Sequence, residues 1–208
     1  MIQTVSESSS RTTQKEATRQ ALKAAARQLF AAQGFSATQI GQITQAAGVA
    51  KGTFYVHFSD KDAVLEEMLD EFNEGFLAHI APLLGEAPRE DVPKLIEQLA
   101  VGFLEYWEAN RAFIRFYSEK AAGGMSLDAL QFGINPQMQS ALRHLLTEIS
   151  PAHPSDADID LVIQGLLSMW LRLGLQSLFN PAATRTAVTK TLVAMTTGAL
   201  AGALDIVE

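Results

Sequence analysis

The 208-residue sequence predicts an all-α protein: an N-terminal three-helix helix-turn-helix head on a larger helical body. Three observations predict it. Apolar residues recur at spacings of three and four along most of the chain, and no alternating apolar–polar run is long enough for a strand. Glycine and proline interrupt those runs at Gly34, Gly48, the 85–88 segment, Gly123–Gly124 and Asn180–Pro181, at intervals suited to helices. Finally, Ile43 to Phe58 reads ITQAAGVAKGTFYVHF, two short helical runs about a glycine able to take the left-handed conformation that ends a helix.

Each element follows in order. The first thirteen residues, rich in Ser and Thr, read as a disordered tail. A first helix over 14–33 places Leu22, Ala25, Ala26, Leu29 and Phe30 on one stripe, and Gly34 stops it. Thr38 is the expected N-cap of a second helix that ends at Gly48, and a third spans about 50–58. Ser59 and Asp62 form a capping-box pattern opening a long fourth helix with Val64, Leu65, Met68, Leu69, Phe72, Phe76 and Ile80 inward. Helices are expected over 92–108, 111–122 and 126–149, the last bent near Gly133 to Pro136. Ser155 with Asp158 opens another, reaching Phe179, and Asn180–Pro181 reads as cap and first turn of the final helix, 181–204. The division expected is tail 1–13, helix-turn-helix domain 14–60, and regulatory and dimerisation domain 61–208.

Composition narrows the function. Hydrophobic residues make up 48% and charged ones 19%, enough for a large buried core. With no cysteine, disulfides, thiolate metal sites and thiol redox sensing are excluded, and a cytoplasmic location is expected. Net charge is −7, but residues 1–61 carry seven cations against three acids and the remainder nine against twenty. That asymmetry suits a protein of which one end meets phosphate.

The third helix carries the chemistry. Its residues after the turn, Lys51, Gly52, Thr53, Tyr55 and His57, are small, cationic or hydrogen-bonding, as groups that meet phosphates and base edges must be. Ala47, Val49, Phe54 and Phe58 are the expected core beneath them. Together with Gly34–Phe35, Thr38, Ile43, Gly48 and Lys61, this pattern over about 17–70 resembles the TetR family of transcriptional regulators. The resemblance implies a homodimer with two DNA-binding heads, and a helical body that takes a small-molecule effector. It assigns DNA contacts to Thr38, Ala50, Lys51, Gly52, Thr53, Tyr55, His57 and Lys61. Ala50 stands where the family often has serine, which removes one phosphate hydrogen bond, and Thr44 replaces a usual alanine at the close approach of the two short helices.

Other chemistry is sparse. No paired-ligand spacing joins His57, His79, His144 and His153, and neither a phosphate-binding glycine loop nor a nucleophile elbow is present. An enzyme, a metal site and a cofactor are therefore not expected. Leu161 to Phe179 is apolar enough to raise a membrane span, but it contains Gln164, Arg172 and Gln176. A central arginine costs about 2.5–3.5 kcal/mol on insertion scales, so burial against a partner subunit is the better reading. The small residues Ala194, Thr197, Gly198, Ala201 and Gly202 make the last two helices the expected homodimer contact. Aromatic residues of the body set out an effector pocket of mostly apolar lining: Phe103, Trp107, Phe113, Phe116, Tyr117 and Trp170, with Gln164 and Arg172 to orient the ligand. The reading is thus a sequence-specific repressor of a near-palindromic double-stranded operator, released by an apolar ligand. Its alternative is a helical interaction module that has lost DNA reading.

Overall fold

A computed structural model describes residues 3–86, 91–122, 136–150 and 155–204 of the chain. Among them are nine helices and no strand: α1 Gln3–Gln33, α2 Ile40–Ala46, α3 Lys51–His57, α4 Lys61–Glu86, α5 Val92–Ala109, α6 Arg111–Ala122, α7 Pro136–Ile149, α8 Asp156–Phe179 and α9 Arg185–Leu204. The all-α expectation therefore holds. The expected bend near Gly133, the stop at Gly123–Gly124 and residues 87–88 of the expected linker lie outside the described residues, while α4 continues through Pro82, expected to break it, as far as Glu86.

Two helix starts differ from expectation. The segment read as a tail is helical from Gln3. It contains neither proline nor glycine, so once α1 is nucleated by its apolar stripe, each further turn costs little. The last helix begins at Arg185 and not at Pro181. Asn180 instead accepts from the Ala182 amide at 3.0 Å, an Asx turn between α8 and α9, and Thr184 Oγ1 accepts from the Ala187 amide at 3.3 Å.

The caps also shift by a residue. Thr38 is buried and does not cap α2; Gln39 holds the N-cap position, and its amide donates to Gln42 Oε1 at 2.8 Å. At α4 the cap is Asp60, not Ser59. Its Oδ1 accepts from the Ala63 amide at 2.8 Å, and this bond above all holds the carboxyl below its ordinary pKa. Ser155 does cap α8, accepting from the Asp158 amide.

The chain packs as two units. The first comprises Met1–Glu71 and Ala112–Leu130, the second Phe72–Arg111 and Gln131–Glu208. The head thus reaches beyond residue 60. Val64, Leu65 and Met68 of α4 are buried in the first unit together with Leu22, Ala26, Phe30, Ile43, Phe54 and Phe58. From α6, Phe116 sets its ring 5.5 Å from Phe30. In the second unit, Val92 and Ile96 of α5, Leu146 of α7, Ile159 and Ile163 of α8, and Leu200 and Leu204 of α9 form a single core cluster.

Candidate nucleic-acid interface and apolar cavity

The turn between α2 and α3 is set by the backbone. Gly48 has φ +69, and the amides of Ala47, Gly48 and Val49 return to the carbonyls of Ile43, Gln45 and Thr44 at 2.9, 3.1 and 3.0 Å. Thr44 is buried, its hydroxyl satisfied by the Gly41 carbonyl at 3.1 Å, which is how a threonine is accommodated between two short helices. With α2 so held, Phe54 and Phe58 face inward, and the opposite side of α3 is open.

That open side is not quite the one expected. Ala50, Lys51 and Gly52 are exposed and Tyr55 is 55% exposed, whereas Thr53 and His57 are half-buried. Val56 is 67% exposed and was missed, because an isolated valine in a head helix reads as core. The signal was available: at about 100° per residue, Val56 lies some 200° around the helix from Phe54.

Two residues assigned to DNA contact make hydrogen bonds within the protein. Thr38 donates through Oγ1 to the Gly34 carbonyl at 2.8 Å and accepts from Gln33 Nε2 at 3.2 Å, a closed arrangement below the surface. Lys61 Nζ donates to the carbonyls of Thr38 and Phe35 at 2.6 and 2.9 Å and lies 4.7 Å from the centre of the Phe35 ring. The α1–α2 loop is thereby pinned to the start of α4. Because Asp60 already occupies the first amides of α4, that helix end is a poor seat for a phosphate.

A network overlooked in the sequence secures α3 from behind. Arg19 of α1 pairs with Glu67 of α4, with Nε 3.0 Å from Oε1, and donates through Nη1 to the His57 carbonyl at 2.6 Å. Its guanidinium also lies 4.3 Å from the centre of the Phe58 ring. Lys23, 4% exposed, pairs with Glu67 at 2.6 Å and with Glu71, which also takes Arg27 at 3.1 Å. Burial first, then the charges of Arg19 and Lys15, hold the His57 imidazole below its ordinary pKa. Its Nδ1 is buried without a hydrogen-bond partner among the described residues.

These pairs revise the charge argument. Including 62–71, the head's main segment has seven cations against eight acids, and 112–130 is balanced with two of each. Arg19, Lys23 and Arg27 share the carboxylates of Glu67 and Glu71, which cancel two of their three charges. Basic character therefore survives only locally, at Lys51, Lys15 and Arg11, which are exposed and have no carboxylate partner among the described residues.

The second unit encloses a cavity of about 140 Å³. Helices α4, α5, α7, α8 and α9 all line it, and the Phe103 ring in its wall lies 4.6 Å from the Trp107 ring, 5.4 Å from Trp170 and 6.0 Å from Phe76. Of the residues expected to form a pocket, Phe103, Trp107 and Trp170 line this cavity. Phe113, Phe116 and Tyr117 do not: they are buried in the first unit, where Phe113 packs on both of the others. Gln164 and Arg172 are exposed on α8 and orient nothing inside. Aromatic residues spaced for a helix do not reveal which of two cores they enter, as Phe113, Phe116 and Tyr117 show.

Comparison with known proteins addresses the head most directly. Residues 22–68 match the family model described as bacterial regulatory proteins, tetR family. The HTH-type transcriptional regulator AcrR of Shigella flexneri is 45% identical over 71 residues, 32% of this chain and 33% of that protein. The HTH-type transcriptional repressor KstR2 of Mycolicibacterium smegmatis is 26% identical over 141 residues, 64% of this chain and 66% of that protein. The first of these curated relatives are matched over a third to a half of their length. Among solved structures, a TetR-family regulator from Syntrophomonas wolfei, described as putative, shares the fold with TM-score 0.68 at 18% identity, covering 91% of this chain and 98% of that one. The fatty acid degradation regulator FadR of Bacillus halodurans does so with TM-score 0.66 at 21% identity, covering 89% and 95%.

Proposed function

We propose, from the premise that this chain belongs by its head to the TetR family of bacterial regulatory proteins, that it is a dimeric, sequence-specific DNA-binding repressor released from its operator by a small apolar effector. The observation that carries the reading is the open side of α3. Lys51, Gly52, Tyr55 and Val56 are exposed on the side away from buried Phe54 and Phe58, with only the edge of the Tyr55 ring against Phe54. Gly52 in particular faces empty space: a Cβ there would meet nothing within 4 Å. Glycine within a helix costs about 0.5–1 kcal/mol relative to alanine, so its presence favours close backbone approach to something outside the chain, as a groove wall would be. Lys51 and Tyr55 would meet phosphates, and the Val56 methyls suit a thymine methyl.

Support for a dimer comes from α8 and α9. Both are apolar and long enough to cross a membrane, yet few residues of either are buried, and Leu161 is exposed at 71% and Met195 at 51%. Exposed Ala194, Gly198, Ala201 and Gly202 leave α9 a shallow face onto which a second copy can pack closely. Arg172 on α8 favours water or a partner subunit over lipid. An operator-bound protein of this kind works in the cytoplasm.

Control would pass along α4, which begins at Lys61 and whose Phe72, Phe76 and Ile80 line the cavity. A ligand that displaces those rings alters the helix that also carries Glu67 and Glu71, the partners of Arg19 and Lys23. The test is selection of duplexes from random DNA followed by mobility shift. A near-palindromic site whose half-sites are about 34–36 Å apart, or a multiple of that, is expected, with affinity falling as salt rises. No preferred duplex at any salt would leave a helical interaction module as the reading.

A further inference from the structure

The lining of the cavity restricts what it can hold. Of its nineteen described residues, only Trp107, Trp170 and Thr196 carry a polar side-chain atom, and none is charged. Trp170 and Thr196 are already joined, Trp170 Nε1 donating to Thr196 Oγ1 at 2.9 Å. The Trp170 indole has then no donor left, while the threonine hydroxyl has one, and its proton has no acceptor among the described residues. Thr196 is 5% exposed, so water does not readily supply that acceptor.

We infer that the effector is an uncharged, one- or two-ring apolar molecule carrying a single hydrogen-bond acceptor, such as a ketone, ester or ether oxygen, that takes the proton of Thr196. This rests on reading the cavity as the effector site. Charge is excluded because an isolated carboxylate or ammonium would lose its hydration against leucine, isoleucine and aromatic carbon with no counter-ion to replace it. The size follows from the volume: about 140 Å³ is close to an engineered apolar cavity of about 150 Å³ that accommodates benzene. The faces of Phe72, Phe76, Phe103, Trp107 and Trp170 favour flat ligands that meet them offset or edge-on. An acceptor is favoured over a second donor because Thr196 Oγ1 already receives the indole proton.

The chain supplies its own reporter. Trp107 and Trp170 are its only two tryptophans and both line the cavity, so their emission reads occupancy directly. Acetophenone, ethylbenzene, benzoate and benzylammonium, titrated into the full-length protein, separate the classes. Saturable changes with the two neutral compounds are expected, with benzoate and benzylammonium at least tenfold weaker. A charged compound binding as tightly as acetophenone, or no saturable change with any of the four, overturns the inference. The acceptor is tested with the double variant Trp170→Phe, Thr196→Val, with Trp107 as the remaining reporter. In a variant whose circular dichroism matches the parent, acetophenone should weaken about five- to tenfold, as for one lost hydrogen bond, and ethylbenzene little. Equal losses refute the role of Thr196. Operator release is scored separately. Neutral ligands that bind without releasing DNA refute the regulatory function proposed above and leave the ligand class standing, while release by benzoate alone does the reverse.

Discussion

Arg19 Nη1 lies 2.6 Å from the carbonyl oxygen of His57, so the last turn of α3 is tied directly to α1. The same guanidinium pairs with Glu67 of α4 and covers Phe58. One side chain therefore fixes the angle at which α3 is presented, and it does so with groups that would otherwise be counted as phosphate ligands. Arg19→Ala should destabilise the head by about 1–2 kcal/mol, a figure discounted because the pair is only partly buried. Urea denaturation of the variant reads this. Lys15→Ala, by contrast, should leave stability unchanged and weaken DNA binding. If Arg19→Ala unfolds like the parent, the tie has no energetic weight.

His57 gives the head a pH dependence of definite sign. Its pKa is lowered, chiefly by burial and then by Arg19 and Lys15, while the unfolded chain has the ordinary value of 6.5. Below that value the unfolded state binds more protons, so stability is full above it and falls as pH drops through the lower, folded pKa. The parallel loss from Glu67, also lowered from an ordinary value of 4.5, belongs to a more acidic window. Urea midpoints between pH 7.5 and 5 should decline in the parent and stay flat in His57→Asn. Removing Arg19 should shrink the decline, because one of the charges that lowers the imidazole pKa is gone.

The fold and the head were legible because they rest on local rules. Helical period, Gly48 at a left-handed turn and the Phe54–Phe58 pair follow from adjacent residues. What was not legible depends on partners distant in sequence. Glu67 and Glu71 cancel two of the three charges of Arg19, Lys23 and Arg27 across more than forty positions, so a charge count ending at Lys61 overstated the basic character of the head. Lys61 turned inward because two carbonyls of the α1–α2 loop and the Phe35 ring were within its reach. Similarly, Phe113, Phe116 and Tyr117 have the same spacing as a pocket wall, and only the packing of Phe116 on Phe30 assigns them to the head.

Gly52 separates stability from DNA affinity. Since a Cβ there meets nothing within the chain, Gly52→Ala should stabilise α3 by about 0.5–1 kcal/mol while weakening the operator complex. Thermal unfolding and mobility shift on the same preparation give both quantities. Lys51→Ala should reduce binding evenly across sequences and lower the salt slope by about one, whereas Val56→Ser should relax preference at one base position by about 1–3 kcal/mol. Tighter operator binding by Gly52→Ala would remove the reason given for glycine at that position.

Gly174 decides the shape of the cavity. A Cβ there would lie 2.7 Å from the Phe103 ring and 2.8 Å from the Trp107 ring, closer than such atoms approach. Both rings are buried and line the cavity, so neither is a flexible end that swings clear at little cost. Gly174→Ala must move α8 outward or turn the rings into the empty space, and overpacking of this kind costs about 1–3 kcal/mol. The cavity is the nearest volume that can relieve the clash. Loss of stability should therefore come with a shifted tryptophan emission and weaker binding of neutral aromatic compounds. If the proposed coupling through α4 holds, the variant should also bind its operator differently without any effector, because Phe72 and Phe76 share the same lining. Unchanged emission and unchanged ligand affinity, in a variant that is nevertheless destabilised, would mean that α8 absorbs the whole displacement and that the two tryptophans keep their places.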